Sequence, residues 1–282
     1  MAGYDTQIGN PRNGTAHAWP TVWRTADYEY CIVTKQNWDL LVCQRLRAGG
    51  PWTAYNVSTV STPGTGPRLG VSEAGFEADG IFGKIYRPDS HQAAAMAVDA
   101  KGYIHISGNT HQEPMRYIKS KRPHDITEWV QGPNPTTWLS SGENITTYQA
   151  YQVFSDGTLL WHQDQSDDPL PRRSVIGRDQ TMWRLSISDI NSSGVPAWKP
   201  CVGTGEIMLT PNYPLNNQPY NETTGFDDGI PDRSYLFHSY VDINDVLHCV
   251  YAWRKRESDE TSMDEHFYVR SKDKGSTWEN VL

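Results

Sequence analysis

No apolar run in the 282 residues approaches the ~18 that a membrane-spanning helix needs. The segment Met1–Thr15 has no apolar core, so no secretory leader is expected. There are only four cysteines, Cys31, Cys43, Cys201 and Cys249, and no two form a C-x-x-C. That spacing excludes the usual zinc and dithiol-redox motifs. Buried free thiols are expected, although Cys31 and Cys43 could face each other on neighbouring strands. Positive charge is in deficit, with 25 Lys and Arg against 33 Asp and Glu and a net charge of −8. A general nucleic-acid binder is basic, so nucleic acid is not an expected partner, and neither is a membrane. An anionic ligand would need a local basic pocket within this acidic shell. Also absent are a P-loop, a G-x-S-x-G and an H-E-x-x-H, and no stretch has helical period. Hydrophobic residues make up 37 %, below the globular norm.

What the chain does hold is aromatic. Eleven Trp and 15 Tyr supply the buried area that the aliphatics do not, and they also suit a sugar-binding surface. Four segments repeat one pattern of short β-branched and aromatic runs punctuated by turns. They are approximately 18–57, 93–130, 148–187 and 235–282. Each reads as a four-stranded antiparallel blade. The third is divided into YQAYQVF, GTLLWHQ, PRRSVIG and MWRLSI. The first-to-second-strand turns fall at Asp27, Gly102, Gly157 and Asp245. The fold class expected is an all-β propeller forming one domain. Four repeats are visible, and five are possible if the second of two long insertions hides another. These insertions, 62–89 and 191–233, are rich in Gly, Pro, Asn and Thr and read as loops.

Ser271-Lys272-Asp273-Lys274-Gly275-Ser276-Thr277-Trp278 spells S-x-D-x-G-x-T-W. This resembles the Asp-box of sialidase-like propellers, a structural turn away from the active face. A second pattern runs from Asp89 to Ile126. It reads D-x-H, then V-D-x-x-G-Y-I-H at Val98–His105, G-N-x-H at Gly108–His111, Y-x-x-S at Tyr117–Ser120 and P-x-D-I at Pro123–Ile126. It resembles the BNR-4 family of seven-bladed propellers, which includes ulvan lyases and related uronate-cleaving polysaccharide lyases. The resemblance implies His91 and His111 as the two catalytic-face histidines and Tyr148 as the catalytic tyrosine. Where that family has an arginine, this chain has Asp164, with Arg172 and Arg173 a little downstream. Asn109, Arg172, Arg173 and Tyr235 are the candidate substrate-binding residues.

The residue types suit β-elimination. Such a reaction needs a base for the proton beside a uronate carboxylate, a cation for that carboxylate and an acid for the leaving oxygen. Histidine titrates near neutrality and serves as base or neutraliser. Tyrosine moves the proton when a cation lowers its pKa. The expected function is therefore a polysaccharide lyase. The alternative is a non-catalytic glycan-binding or virion-associated adhesion module on the same scaffold. A sialidase-type hydrolase ranks last, because no arginine set to clamp a sialic carboxylate stands out. His105 and His248 recur at equivalent sites and read as packing residues. No cofactor is expected. Asp167 and Asp168, and Asp227 and Asp228, read as solvated loop charges, although a structural divalent cation is compatible with them. An exposed sheet edge makes a homo-oligomer or larger assembly a further expectation, with an extracellular or virion-associated setting, phage or bacterial.

Overall fold

The computed structural model describes residues 22–34, 39–59, 94–108, 113–114, 116–131, 145–166, 179–201, 233–257 and 260–280, some strand ends by backbone alone. Among these the architecture is all-β, a propeller built of four antiparallel blades. Blade 1 is β1 (Val22–Arg24), β2 (Tyr28–Thr34), β3 (Leu40–Leu46) and β4 (Thr53–Asn56). Blade 2 is β5 (Ala94–Val98), β6 (Ile104–Gly108), β8 (Tyr117–Ser120) and β9 (Trp129–Gln131). Blade 3 is β10 (Ile145–Val153), β11 (Leu159–Ser166), β12 (Asp179–Leu185) and β13 (Lys199–Pro200), with β7 (Glu113–Pro114) added beside β10. Blade 4 is β14 (Arg233–Val241), β15 (Leu247–Glu257), β16 (Glu260–Ser271) and β17 (Glu279–Asn280).

Side chains alternate across a strand, so a blade between two others must be apolar on both faces. Blade 2 is built this way. Ala94, Met96, Val98, Ile104, Ile106 and Ile118 pack against Tyr30, Ile32, Leu40 and Val42 of blade 1. The opposite face, Ala95, Ala97 and Tyr117, packs against Tyr151, Leu159, Trp161, Trp183 and Trp198 of blade 3. Small residues on one side thus admit large rings from the other. Blade 3 turns Phe154, Leu160, Met182 and Cys201 toward Leu247, Cys249 and Val269 of blade 4, with Trp278 against the same cluster. The core is three sandwiched layers between successive blades.

The expected third blade needs correction. Its third strand is β12, which contains the MWRL read as the fourth, and PRRSVIG lies outside the described residues. Its fourth strand is β13, inside the segment read as a loop from 191. Trp198 explains the difference. It is 3 % exposed and packs on Tyr117, Tyr151 and Trp161, so the chain returns to the sheet to bury it. Insertion 62–89 and most of 191–233 lie outside the described residues.

Candidate functional site

The first-to-second-strand turns line up at one end of the blades. The Asp245 carboxylate of the blade 4 turn accepts from the Ser155 backbone N–H of the blade 3 turn at 2.7 Å. The Lys274 ammonium meets Asp156. A Cβ on Gly157 would lie 2.7 Å from the Ala100 Cβ of the blade 2 turn. The other ends therefore also share one side. There β5 begins opposite the last residue of β6 (Ala94 with Gly108), β10 begins opposite the last of β11 (Ile145 with Ser166), and β14 begins with Arg233 opposite Arg254.

Two of the candidates lie on strands that begin at this second end. Tyr148 lies near the start of β10, and Tyr235 near the start of β14. His91, Asn109 and His111 lie outside the described residues. So do Arg172 and Arg173, which fall between the end of β11 and the start of β12. Glu113 pairs with Thr146 in the added strand β7, two residues before Tyr148 on β10. Asp164 is the Cα partner of Thr147, immediately before Tyr148, and of Gln180 in β12.

Tyr148 also sits in a break of register. Thr147 pairs with Asp164 and Ala150 with His162, so Tyr148 and Gln149 together oppose Gln163. Bulges of this kind re-aim side chains and are over-represented next to active sites. Blade 4 repeats the break between Tyr235, paired with Ala252, and His238, paired with Val250. Tyr235 is thus the structural counterpart of Thr147, and Leu236 that of Tyr148. The two tyrosines, alike as openers of first strands, are not equivalent positions.

Sequence reasoning overlooked two features of this end. One is β7, two residues long and carrying Pro114, which no periodicity could reveal. The other is the directly opposed pair Arg233 and Arg254, followed on β15 by Lys255 and Arg256. Like charges face to face across a ladder cost stability. Met263, Ser262 and Thr261 are the β16 partners of Arg254, Lys255 and Arg256, and Asp264 falls at the register shift beside Arg254. The basic run was legible, but the opposition appears only with the register.

The recurring histidines lie on the turn side and are structural. In blade 2, the His105 Nε2–H donates to Asp99 Oδ2 at 2.9 Å, and the Tyr117 hydroxyl meets Nδ1 at 2.6 Å. The Trp198 indole N–H donates to Tyr117 at 3.3 Å. Burial pushes the Tyr117 phenol well up. Asp99 Oδ1 meanwhile accepts from the backbone N–H groups of Lys101 and Tyr103, closing the turn. Blade 4 repeats the unit. His248 contacts Asp242 at 3.2 Å and Tyr268 at 2.6 Å, and Asp242 accepts from the backbones of Asn244 and Val246. A deeper histidine, His162, is 1 % exposed, and burial with the nearby His238 pulls its pKa down to about 3.

Among the described residues no three His, Cys, Asp or Glu converge as a metal site. No described helix is long and apolar enough to cross a membrane.

Comparison with known proteins agrees with the fold and with the resemblance read from Asp89–Ile126. Residues 28–164 match the BNR repeat-containing family. A 93-residue stretch is 39 % identical to an ulvan lyase, PL25, of Pseudoalteromonas sp. (strain PLSV), covering 28 % of this chain and 18 % of that protein. A solved PL25 ulvan lyase, bound to -[GlcA(1-4)Rha3S]-, superposes with a TM-score of 0.58 at 15 % identity over 96 % of this chain and 57 % of that one. The polysaccharide lyase Uly1 gives 0.58 at 14 % identity over 99 % and 58 %. The chain thus spans little more than half the length of these lyases.

Proposed function

From the premise that residues 28–164 carry the BNR repeat-containing pattern, we propose that this protein acts on a uronate-containing polysaccharide by β-elimination. The observation that carries the reading is the pairing of Glu113 with Thr146. It joins the chain just after the G-N-x-H motif to the strand bearing Tyr148, which supports a shared role for His111 and Tyr148. In this reading Tyr148 and His111 move the proton between the carbon beside the carboxylate and the leaving oxygen. His91 and Asn109 bind from the neighbouring blade, and Tyr235 lines the blade 4 side. The uronate carboxylate must be neutralised in the transition state. Asp164 cannot do this. In this reading Arg233 and Arg254, directly paired at the start of β14, hold the carboxylate, together with Arg172 and Arg173, which follow Asp164 in sequence. β14 packs against both β10 and β12, so the strand that begins with Arg233 adjoins the blade that carries Tyr148. A substrate with glucuronate next to sulfated rhamnose, as bound by the solved lyase, carries the anionic groups that such a pair would hold.

The test is incubation with ulvan and other uronate polymers, following the ultraviolet absorbance of the new C=C bond. Tyr148→Phe is expected to lower kcat by about 10²-fold or more while glycan binding persists. Arg254→Ala is expected to raise KM chiefly for charged substrates. Turnover of no uronate polymer would sink the reading. Asp164 beside Thr147 favours a second one, a glycan-binding module without cleavage. It predicts retained binding, no unsaturated product, and no change of product with His111→Ala.

A further inference from the structure

Cys31 and Cys43 are direct Cα partners across β2 and β3. Their positions follow the phase of the ladder. The Arg47 N–H donates to the Asp27 carbonyl at 2.8 Å, and hydrogen-bonded pairs recur every second residue, so Cys31 and Cys43 form another such pair. Opposed residues of that kind have Cα atoms about 5.5 Å apart, inside the ~4.4–6.8 Å that a disulfide spans. Both side chains lie on the face of blade 1 turned away from blade 2, since Tyr30, Ile32 and Val42 take the other face. Both are free thiols, and each is the other's hydrogen-bond partner.

The two differ in access. Cys43 is fully buried, whereas Cys31 is half-buried. Arg45, the second residue along β3 from Cys43, pairs with Glu29 at 2.5 Å and lies over the Trp52 ring. The hydrogen bond with Cys43, helped by that guanidinium, pulls the Cys31 thiol below its ordinary pKa, while the same bond and burial push Cys43 up. Thiolate character and exposure therefore coincide on Cys31, which are the conditions for attack on a disulfide.

We propose that Cys31 and Cys43 are a thiol–disulfide exchange site, at which a small disulfide such as glutathione disulfide oxidises the pair to a cross-strand bond. The Cys31 thiolate attacks one glutathione sulfur, forming a mixed disulfide and expelling one glutathione thiolate. Cys43, losing its proton, then attacks the Cys31 sulfur and expels the second glutathione. Two electrons pass from the protein thiols to the glutathione disulfide, and the two protons end on the released glutathiones. The second step is intramolecular, so the burial of Cys43 does not block it.

The experiment treats the folded full chain with glutathione disulfide, quenches with acid and maps the linked peptides by mass spectrometry. The expected result is a Cys31–Cys43 bond, with free thiols falling from the four of the sequence to two. The melting temperature should rise by roughly 5 °C, reversibly with dithiothreitol. Cys43→Ala should stop at glutathione held on Cys31, and Cys31→Ser should prevent both adducts. Native protein that keeps all four thiols, holds glutathione on Cys31 without resolving it, or links another pair would overturn the proposal.

Discussion

His162 concentrates an acid sensitivity in one side chain. In the unfolded chain an imidazole takes up its proton near pH 6.5, whereas the buried His162 resists until about pH 3. Between those values the unfolded state binds the extra proton, so stability is full above pH 6.5 and falls as pH drops through the window. The limiting slope is about 1.4 kcal/mol per pH unit. Urea midpoints measured from pH 7 to pH 4 should show that decline, and His162→Gln should flatten it even if the variant starts less stable. An unchanged slope in the variant would assign the acid lability to other groups. Composition could not single out this residue. Nine histidines look alike in the sequence, and only the layering of blades 3 and 4 distinguishes a sealed ring from a solvated one.

At the scale of the element, the turn of 271–278 shows what local sequence can and cannot foretell. Its residues were readable as a tight turn, and the contacts follow. The Asp273 carboxylate accepts from the Ser271 hydroxyl at 2.8 Å, the Thr277 N–H at 2.7 Å and the Thr277 hydroxyl at 2.6 Å. Gly275 takes φ +87° and donates its N–H to the Ser271 hydroxyl at 2.8 Å. Removing the carboxylate, Asp273→Ala, should lower stability by about 2 kcal/mol, readable as a shift in denaturant midpoint with unchanged slope. Blade 2 builds a looser version that no regular spacing announces. There Asp125 serves Thr127, and His124 stands at φ 57° with its ring over Gly102. Strands such as β5 and β15 were legible because each is a short apolar or aromatic run opening or closing at a turn. Two-residue strands such as β7 and β13 were not, because their pairing is decided by partners distant in sequence. The same division holds at the end where β10 begins. Tyr148 was visible as a residue type, but its bulge arises from register.

At the scale of the molecule, each blade is completed by its neighbour, and the two Asp–His–Tyr units measure what completion does. The blade 2 unit is closed over by the rings of blade 3, leaving His105 fully buried and Asp99 5 % exposed. The same unit on the far face of blade 4 lies beside Tyr240 at 61 % and Val250 at 41 % exposure, and His248 itself is 26 % exposed. The same Asp–His–Tyr contacts therefore coexist with different solvent access within a single chain. An acylating probe such as diethyl pyrocarbonate, applied to the native protein, should label the His248 imidazole within minutes and spare His105 until the blades come apart. Anything that later settles on that half-wet wall would announce itself as a shadow on one histidine, read against an internal standard the protein already carries.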